Sequence, residues 1–426
     1  MRTILNSLTI AFASLMLFSS YSFANTPNFL NSCRQKSQLV PETKRTVEAL
    51  LKEVGEKDCV KANRKLSNLT RLSLNNQKIS DIRLLSQFTK LTELFLSSNA
   101  ISNIEPLGKL TNLTSLRIEE NQIKDIKPLF KLSKLTFLGL NKNKIVDIAP
   151  LAKLDRLTNL QLEDNQISNI QALSGLTNLQ RIRLNNNKIT DIQPLSKLTN
   201  LTDLYLGENQ ISNLQPLMGL TNLTSLSLRI NQIDNIQPIS GLRNLKSLWL
   251  DKNKIKNIQP LSGLKSLTFL GLEGNQLSDI QAITNVPNLM SLNLANNKIA
   301  NLQPLSALKD LRTLYLEQNQ IIDVKPLAGL TRLVRLVLTD NQIVDTQPLV
   351  SLKRLDTLEL DNNKIIDIMP LTQLTQLGVL SLRNNQIVNV EPLSALKNLV
   401  YLHLGNNPIP DNICPVEVYK CTFKKN

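Results

Sequence analysis

The sequence predicts an α/β solenoid, a horseshoe of about sixteen short coils with a parallel β-sheet on its concave side. Three observations predict it. From Leu69 onward every twenty-second residue is Leu, up to Leu399, without one insertion. Within each 22-residue unit an L-x-L alternation marks a short strand with two Leu pointing inward. The ninth position starts as Gln77 and is then Asn in every unit from Asn99 to Asn407. A fixed period of this length means stacked coils sharing one elongated core, so 426 residues need no internal domain boundary.

The chain divides by composition. Residues 1–24 read as an export signal: Arg2 precedes an apolar run from Leu8 to Phe18, and Ser22 and Ala24 form a small-residue cleavage site. An uncleaved membrane anchor is the rival reading, disfavoured by a run that is short and interrupted by serine. No later segment approaches the ~20 apolar residues of a membrane span, so the mature chain is expected to be exported, to the periplasm or outside the cell.

Residues 25–68 read as an N-terminal cap. Pro41, Glu42 and Thr43 open a helical pattern with Val47, Leu50, Leu51 and Val54 on one face and Gly55 as its stop. Residues 69–409 are the repeats, and residues 410–426 a C-terminal cap. Each end carries two cysteines, and four cysteines allow three pairings. A disulfide needs Cα atoms within ~7 Å, and the ends of a long open array lie far apart. Cys33 with Cys59 and Cys414 with Cys421 is therefore the expected pairing, each bridge pinning a cap. Metal or redox chemistry is the competing reading, and pairs confined to the termini of an exported chain speak against it.

The stretch Leu245–Ser266 represents the unit. Leu245, Leu248, Leu250, Asn253, Ile255, Ile258, Leu261 and Leu264 are its scaffold letters. An Asn amide both donates and accepts, so a row of them suits the place where the chain leaves the strand. Asp or Asn precedes the second Ile, as in Asn257, and Pro260 follows; this predicts turn or 3-10 geometry on the outer side rather than long helix. Gln77 and Leu84 mark the first unit as atypical, Ala172 and Ala282 replace Pro, and Thr346 replaces the second Ile.

The pattern L-x-x-L-x-L-x-x-N-x-I-x-x-I-x-P-L resembles the internalin-type leucine-rich repeats of bacteria over about four fifths of the chain. The resemblance implies a leucine-rich-repeat horseshoe whose concave strand face binds a protein partner. No sorting signal, wall-binding module or immunoglobulin-like joining segment follows the repeats, so host-cell invasion is not expected. Cytosolic phosphatase-regulating proteins with similar repeats are a weaker match, because an export signal and terminal cysteines argue against them.

Function is sought in the letters between the consensus ones. The outward positions, the third, fifth, seventh and eighth of each repeat, make up 64 of the 402 residues after residue 24. They hold seven of the twelve aromatics there: Phe95, Phe137, Tyr205, Trp249, Phe269, Tyr315 and Tyr401. Strands favour aromatics in any case, but the sole Trp lies in the ninth of sixteen repeats, where an interface anchor would sit. Trp249, Tyr205, Tyr315, Phe269 and Ile230 are the candidate apolar anchors, and Asp251, Glu273 and Arg229 the charges that would set register and selectivity.

Net charge is +15, yet the outward face holds thirteen acidic against nine basic side chains, about −4, which leaves about +19 elsewhere. Much of that excess is Lys on the outer side and flank, such as Lys109, Lys131, Lys153, Lys265, Lys309 and Lys397, a solvated surface that keeps an apolar solenoid soluble. Binding of cell-envelope glycans or anionic polymers through this basic surface is the alternative function. Nucleic acid would want basic and aromatic residues together in one groove, and here they are largely apart.

Catalysis finds little support. His403, the only histidine, aligns with Ser381 and Glu359 of the two preceding repeats, but a triad needs His between the other two. No phosphate loop or metal-ligand cluster appears, so no enzyme activity and no cofactor are expected. The partner is expected to be a protein of unidentified kind; oligomeric state is open.

Overall fold

The computed structural model describes residues 28–410, 414–417 and 421–423. The export-signal segment 1–24 lies outside them.

Among the described residues one parallel sheet of seventeen strands runs through all the repeats. Strands β1 (Arg71–Ser73) to β16 (Tyr401–His403) come one from each repeat, and β17 (Cys421–Thr422) adds beyond them. Each pairs with its sequence neighbour in unshifted register, as Ser247↔Phe269, Leu248↔Leu270 and Trp249↔Gly271. Strands β1 to β16 are three residues long because the alternation lasts only from one inward Leu to the next. Leu248 and Leu250 are fully buried, and Ser247 and Trp249 between and beside them face out.

Leaving the strand, the eighth residue of all sixteen repeats has positive φ, from Asn76 (54°) to Asn406 (59°). This left-handed residue turns the chain toward the core, and Asn or Gly bears it most easily. The ninth residue then closes the turn. Asn253 donates from Nδ2 to the carbonyls of Leu228 (3.0 Å), Leu250 (3.0 Å) and Asp251 (3.2 Å), and its Oδ1 accepts from the Ile233 N–H at 3.0 Å. The same set recurs along the row, so groups that would otherwise be buried without partners are bonded.

The outer side is built as the sequence predicts. Asn257 Oδ1 accepts the Gln259 N–H at 2.8 Å, and Pro260 sits in the first turn of a 3-10 segment, Gln259–Gly263. Such a segment stands in each of the fifteen complete repeats. Thr346 is as buried as the Ile it replaces, and its hydroxyl reaches the Asp367 carbonyl at 3.3 Å, which explains how a polar group is accommodated.

Among the described residues three α-helices precede the first coil: α1 (Phe29–Arg34), α2 (Pro41–Glu53) and α3 (Cys59–Leu66). The expected helix is α2, with Val47 and Leu50 fully buried, and Gly55 just beyond it takes φ 65°. The flanking helices carried no signal strong enough to read. Phe29 packs edge-on to Phe88 at 6.3 Å, and Thr46 Oγ1 donates to the Asp81 carbonyl at 2.5 Å, so the helices sit on the open end of the first coil. A disulfide joins Cys33 to Cys59, Cα atoms 5.8 Å apart, and another joins Cys414 to Cys421, 6.0 Å apart. At that end the Leu404 N–H donates to the Thr422 carbonyl at 3.0 Å.

Candidate protein-recognition face

The outward row brings three of the named aromatics into one stack. Tyr205 and Trp249 are separated by a whole coil, yet their ring centroids lie only 6.3 Å apart. The residue between them in the row is Ser227, small and buried, so both rings lean over it. Trp249 continues to Phe269 at 4.9 Å; its register partner is Gly271. Arg183 closes the other end, its guanidinium 5.1 Å from the Tyr205 centroid.

Other aromatics of this face are covered differently. Arg71 lies over Phe95 at 4.7 Å, Arg117 over Phe137 at 4.1 Å, and Arg335 over Tyr315 at 5.6 Å. Among the described residues no cation covers Trp249 or Phe269, and at the end of the face Tyr401, 56 % exposed, is likewise without one. Tyr315 does not join the stack: Asn293 occupies the coil between, and Arg335 holds its ring, being itself paired with Glu359 at 2.7 Å.

Ile230 is exposed at 40 % and holds φ 52°, a conformation in which a β-branched side chain is strained. Six other repeats use Asn there: Asn76, Asn186, Asn296, Asn362, Asn384 and Asn406. An exposed apolar group thus stands in the eighth repeat, beyond Arg229 on the same face as the stack, at a backbone position that favours something else.

The charged candidates do different things. Arg229 is paired with Glu208, and Glu273 with Lys252 at 3.4 Å; Asn293 also donates to Glu273 at 3.3 Å. Asp251 is turned inward over Gly271, and its Oδ1 accepts the Glu273 N–H at 3.0 Å. Burial pushes its carboxyl above the ordinary value, and the nearby Glu273 carboxylate adds to this. Burial likewise raises Glu317, with Glu273 and Glu359 contributing, and its Oε2 has no donor among the described residues.

Comparison with known proteins agrees with this geometry. A family model described as leucine-rich repeats in two copies matches overlapping pairs of coils from 67 to 241, then 243–285, 287–329 and 375–417. An internalin of Listeria monocytogenes, InlF, is 34 % identical over 77 % of this chain and 97 % of its own, with a TM-score of 0.73. The chain belongs to the internalin-type leucine-rich-repeat family. A leucine-rich-repeat protein of Leptospira interrogans is 28 % identical, over 86 % of this chain and 98 % of its own, at a TM-score of 0.77. The functional domain of Listeria monocytogenes InlJ is 25 % identical, over 80 % of this chain and 74 % of its own, at 0.70. No curated protein matches by sequence.

Within this internalin-type array the Glu359, Ser381, His403 alignment exists as a register, Glu359↔Ser381↔His403. The side chains are engaged elsewhere. Ser381 donates to Asp361 at 2.6 Å, and His403 Nδ1 lies 2.6 Å from Thr422 Oγ1 and 3.3 Å from Arg383. Burial, with Arg383 adding, holds the imidazole below its ordinary value. No proton relay from Ser381 to His403 is formed.

Two regularities escaped sequence reading. One is the left-handed eighth position, whose signal was its richness in Asn. The other is a second Asn row in the descending turn: Asn200 Nδ2 donates to the Thr177 carbonyl at 2.9 Å, and Asn244 to that of Thr221 at 2.9 Å.

Proposed function

We propose that the protein is exported and recognises a protein partner through its concave face, with Trp249, Phe269 and Tyr205 as apolar anchors. The observation that carries this reading is the uncovered Trp249–Phe269 surface in a sheet whose other aromatics, save the terminal Tyr401, lie under guanidinium groups. Folding gives no reason to expose it, since the inward Leu rows complete the core without it. Ile230 widens the anchor, Tyr315 under Arg335 forms a second, more polar contact point, and the Arg229–Glu208 and Lys252–Glu273 pairs supply charges that select among partners. Asp251 acts from beneath, fixing the turn that presents Glu273.

Export rests on residues 1–24 and on the two disulfides, which persist in oxidising compartments. Residues 25–68 and 410–426 act as caps that shield the first and last coils, and the repeats 69–409 carry recognition.

The test is an affinity capture with the chain beginning at Asn25, beside its Trp249→Ala form. Loss of the Trp should weaken partner binding by ~2 kcal/mol or more, about thirtyfold, with an unchanged melting curve. Equal capture by both forms removes the central stack from the reading. Capture that collapses with rising salt and ignores Trp249→Ala would instead assign binding to anionic polymers on the basic outer surface.

A further inference from the structure

A second surface lies on the flank, at the twelfth position of the repeat. In the first ten repeats this residue is Ser, Thr, Lys or Asp, with Val146 the one exception. In the next five it is Ala300, Ile322, Val344, Ile366 and Val388. The four large ones are 61, 48, 57 and 54 % exposed, so they form an unbroken apolar row in water. The core does not need them: the inward residues on either side, such as Ile365 and Ile368, are already buried. A contiguous exposed apolar strip of this kind marks a contact surface.

The borders of the row say what covers it. Along one side, at the tenth position, run Lys298, Gln320, Gln342, Lys364 and Gln386; along the other, at the thirteenth, Asn301, Asp323, Asp345, Asp367 and Asn389. One border carries no acid, the other no base. A two-fold axis lying along the row would set the donor border of one copy against the acceptor border of another, with Lys364 facing Asp367 and apolar row against apolar row. The pitch of the two rows matches by construction. A surface that is its own complement in charge and spacing is the requirement for an isologous interface.

We propose that repeats eleven to fifteen form a self-association surface, two copies packing flank to flank about an axis along the Ala300–Val388 row. This leaves the concave face free and is independent of what that face binds. A single row is narrower than the ~800 Å² per partner of a stable complex, so the dimer is weak and concentration-dependent.

Sedimentation of the full chain over roughly 10–500 µM tests it, because affinities of this order are resolved there. The wild type should dimerise reversibly, and Val344→Asp with Ile366→Asp should remain monomeric with unchanged circular dichroism. Lys364→Glu should weaken association about tenfold by facing Asp367 with a like charge, and adding Asp367→Asn should restore part of it. Asn serves this position in other repeats, as Asn389, and keeps the turn bond that Asp367 makes to the Met369 N–H. A wild type that stays monomeric throughout overturns the proposal, as does a Val344→Asp, Ile366→Asp form that dimerises equally. Lys364→Glu without effect overturns the two-fold arrangement. Monomeric protein that instead floats with phosphatidylcholine vesicles, and loses this with Ile366→Asp, would assign the row to lipid.

Discussion

Asn253→Ala is the sharpest test of how the coils are held together. The substitution removes one accepted bond, from Ile233 N–H at 3.0 Å, and the Nδ2 hydrogens shared among the carbonyls of Leu228, Leu250 and Asp251. Two hydrogens serve three acceptors, so the loss counts as three bonds rather than four. Each buried hydrogen bond contributes about 1 kcal/mol net, and orphaning the Ile233 N–H adds its desolvation, which gives about 3–4 kcal/mol. Water cannot fully replace the amide, because Asn253 is only 8 % exposed. The readout is hydrogen exchange at Ile233 and neighbouring amides of repeats eight and nine, together with the urea midpoint. Exchange is needed because a long array does not unfold as one two-state unit. The prediction is a local loss of about 3 kcal/mol of protection, largest around Ile233. A loss below about 1 kcal/mol would refute the view that the Asn row, rather than Leu packing alone, fixes the coils.

Further outcomes follow from other features. Ile230→Asn puts the residue of six other repeats into a left-handed position; relief of strain should raise stability by about 1 kcal/mol by urea denaturation while weakening partner capture. Asp251→Asn keeps the bond to Glu273, as Asn185 does to the Gly207 N–H at 2.7 Å, but removes a carboxyl whose folded value is raised. A raised acid favours the fold when protonated, so the variant should be the more stable at pH 7, and its advantage should vanish as pH falls below about 4. Cys33→Ser with Cys59→Ser should lower the stability of the N-terminal helices by ~3 kcal/mol, seen as faster exchange in α2, with partner capture intact. Undiminished protection there would show that the bridge does not hold them.

The scaffold was legible because each of its letters has one job. A period of 22, alternating Leu and an Asn row specify coil, sheet and turn without reference to anything distant. Helix α2 was legible for the same reason, through its apolar face at helical spacing. The arrangement of the face was not. Strand spacing alone places Tyr205 and Trp249 two coils apart; their approach depends on Ser227 being too small to keep them separate. Tyr315 reads like Tyr205 in sequence and differs because Asn293, not a small Ser, stands in the coil before it and Arg335 reaches back over it from the next. Asp251, which reads as an outward charge, is turned in because Gly271 opposite leaves space for its carboxylate. Neighbours of each outward residue stand 22 positions away, and their sizes decide where it points. The flank row was visible in the letters, but its exposure was needed to tell it from core.

The Asn row also gives the stack a direction. Asn253 of the ninth repeat bonds the Ile233 N–H and the Leu228 carbonyl of the eighth, and Asn275 does the same for Ile255 and Leu250 of the ninth. In this row the turn of each coil is bonded by the Asn of the coil that follows it in sequence. During synthesis the newest coil waits with its turn unfinished until the next emerges, so closure proceeds as a ratchet running one coil behind the growing end. Peeling from the C-terminal side reverses it, each departing coil leaving its predecessor's turn unlatched, whereas removal of a coil at the other end takes two partners from its neighbour's Asn but leaves that neighbour's own turn bonded by the coil that follows.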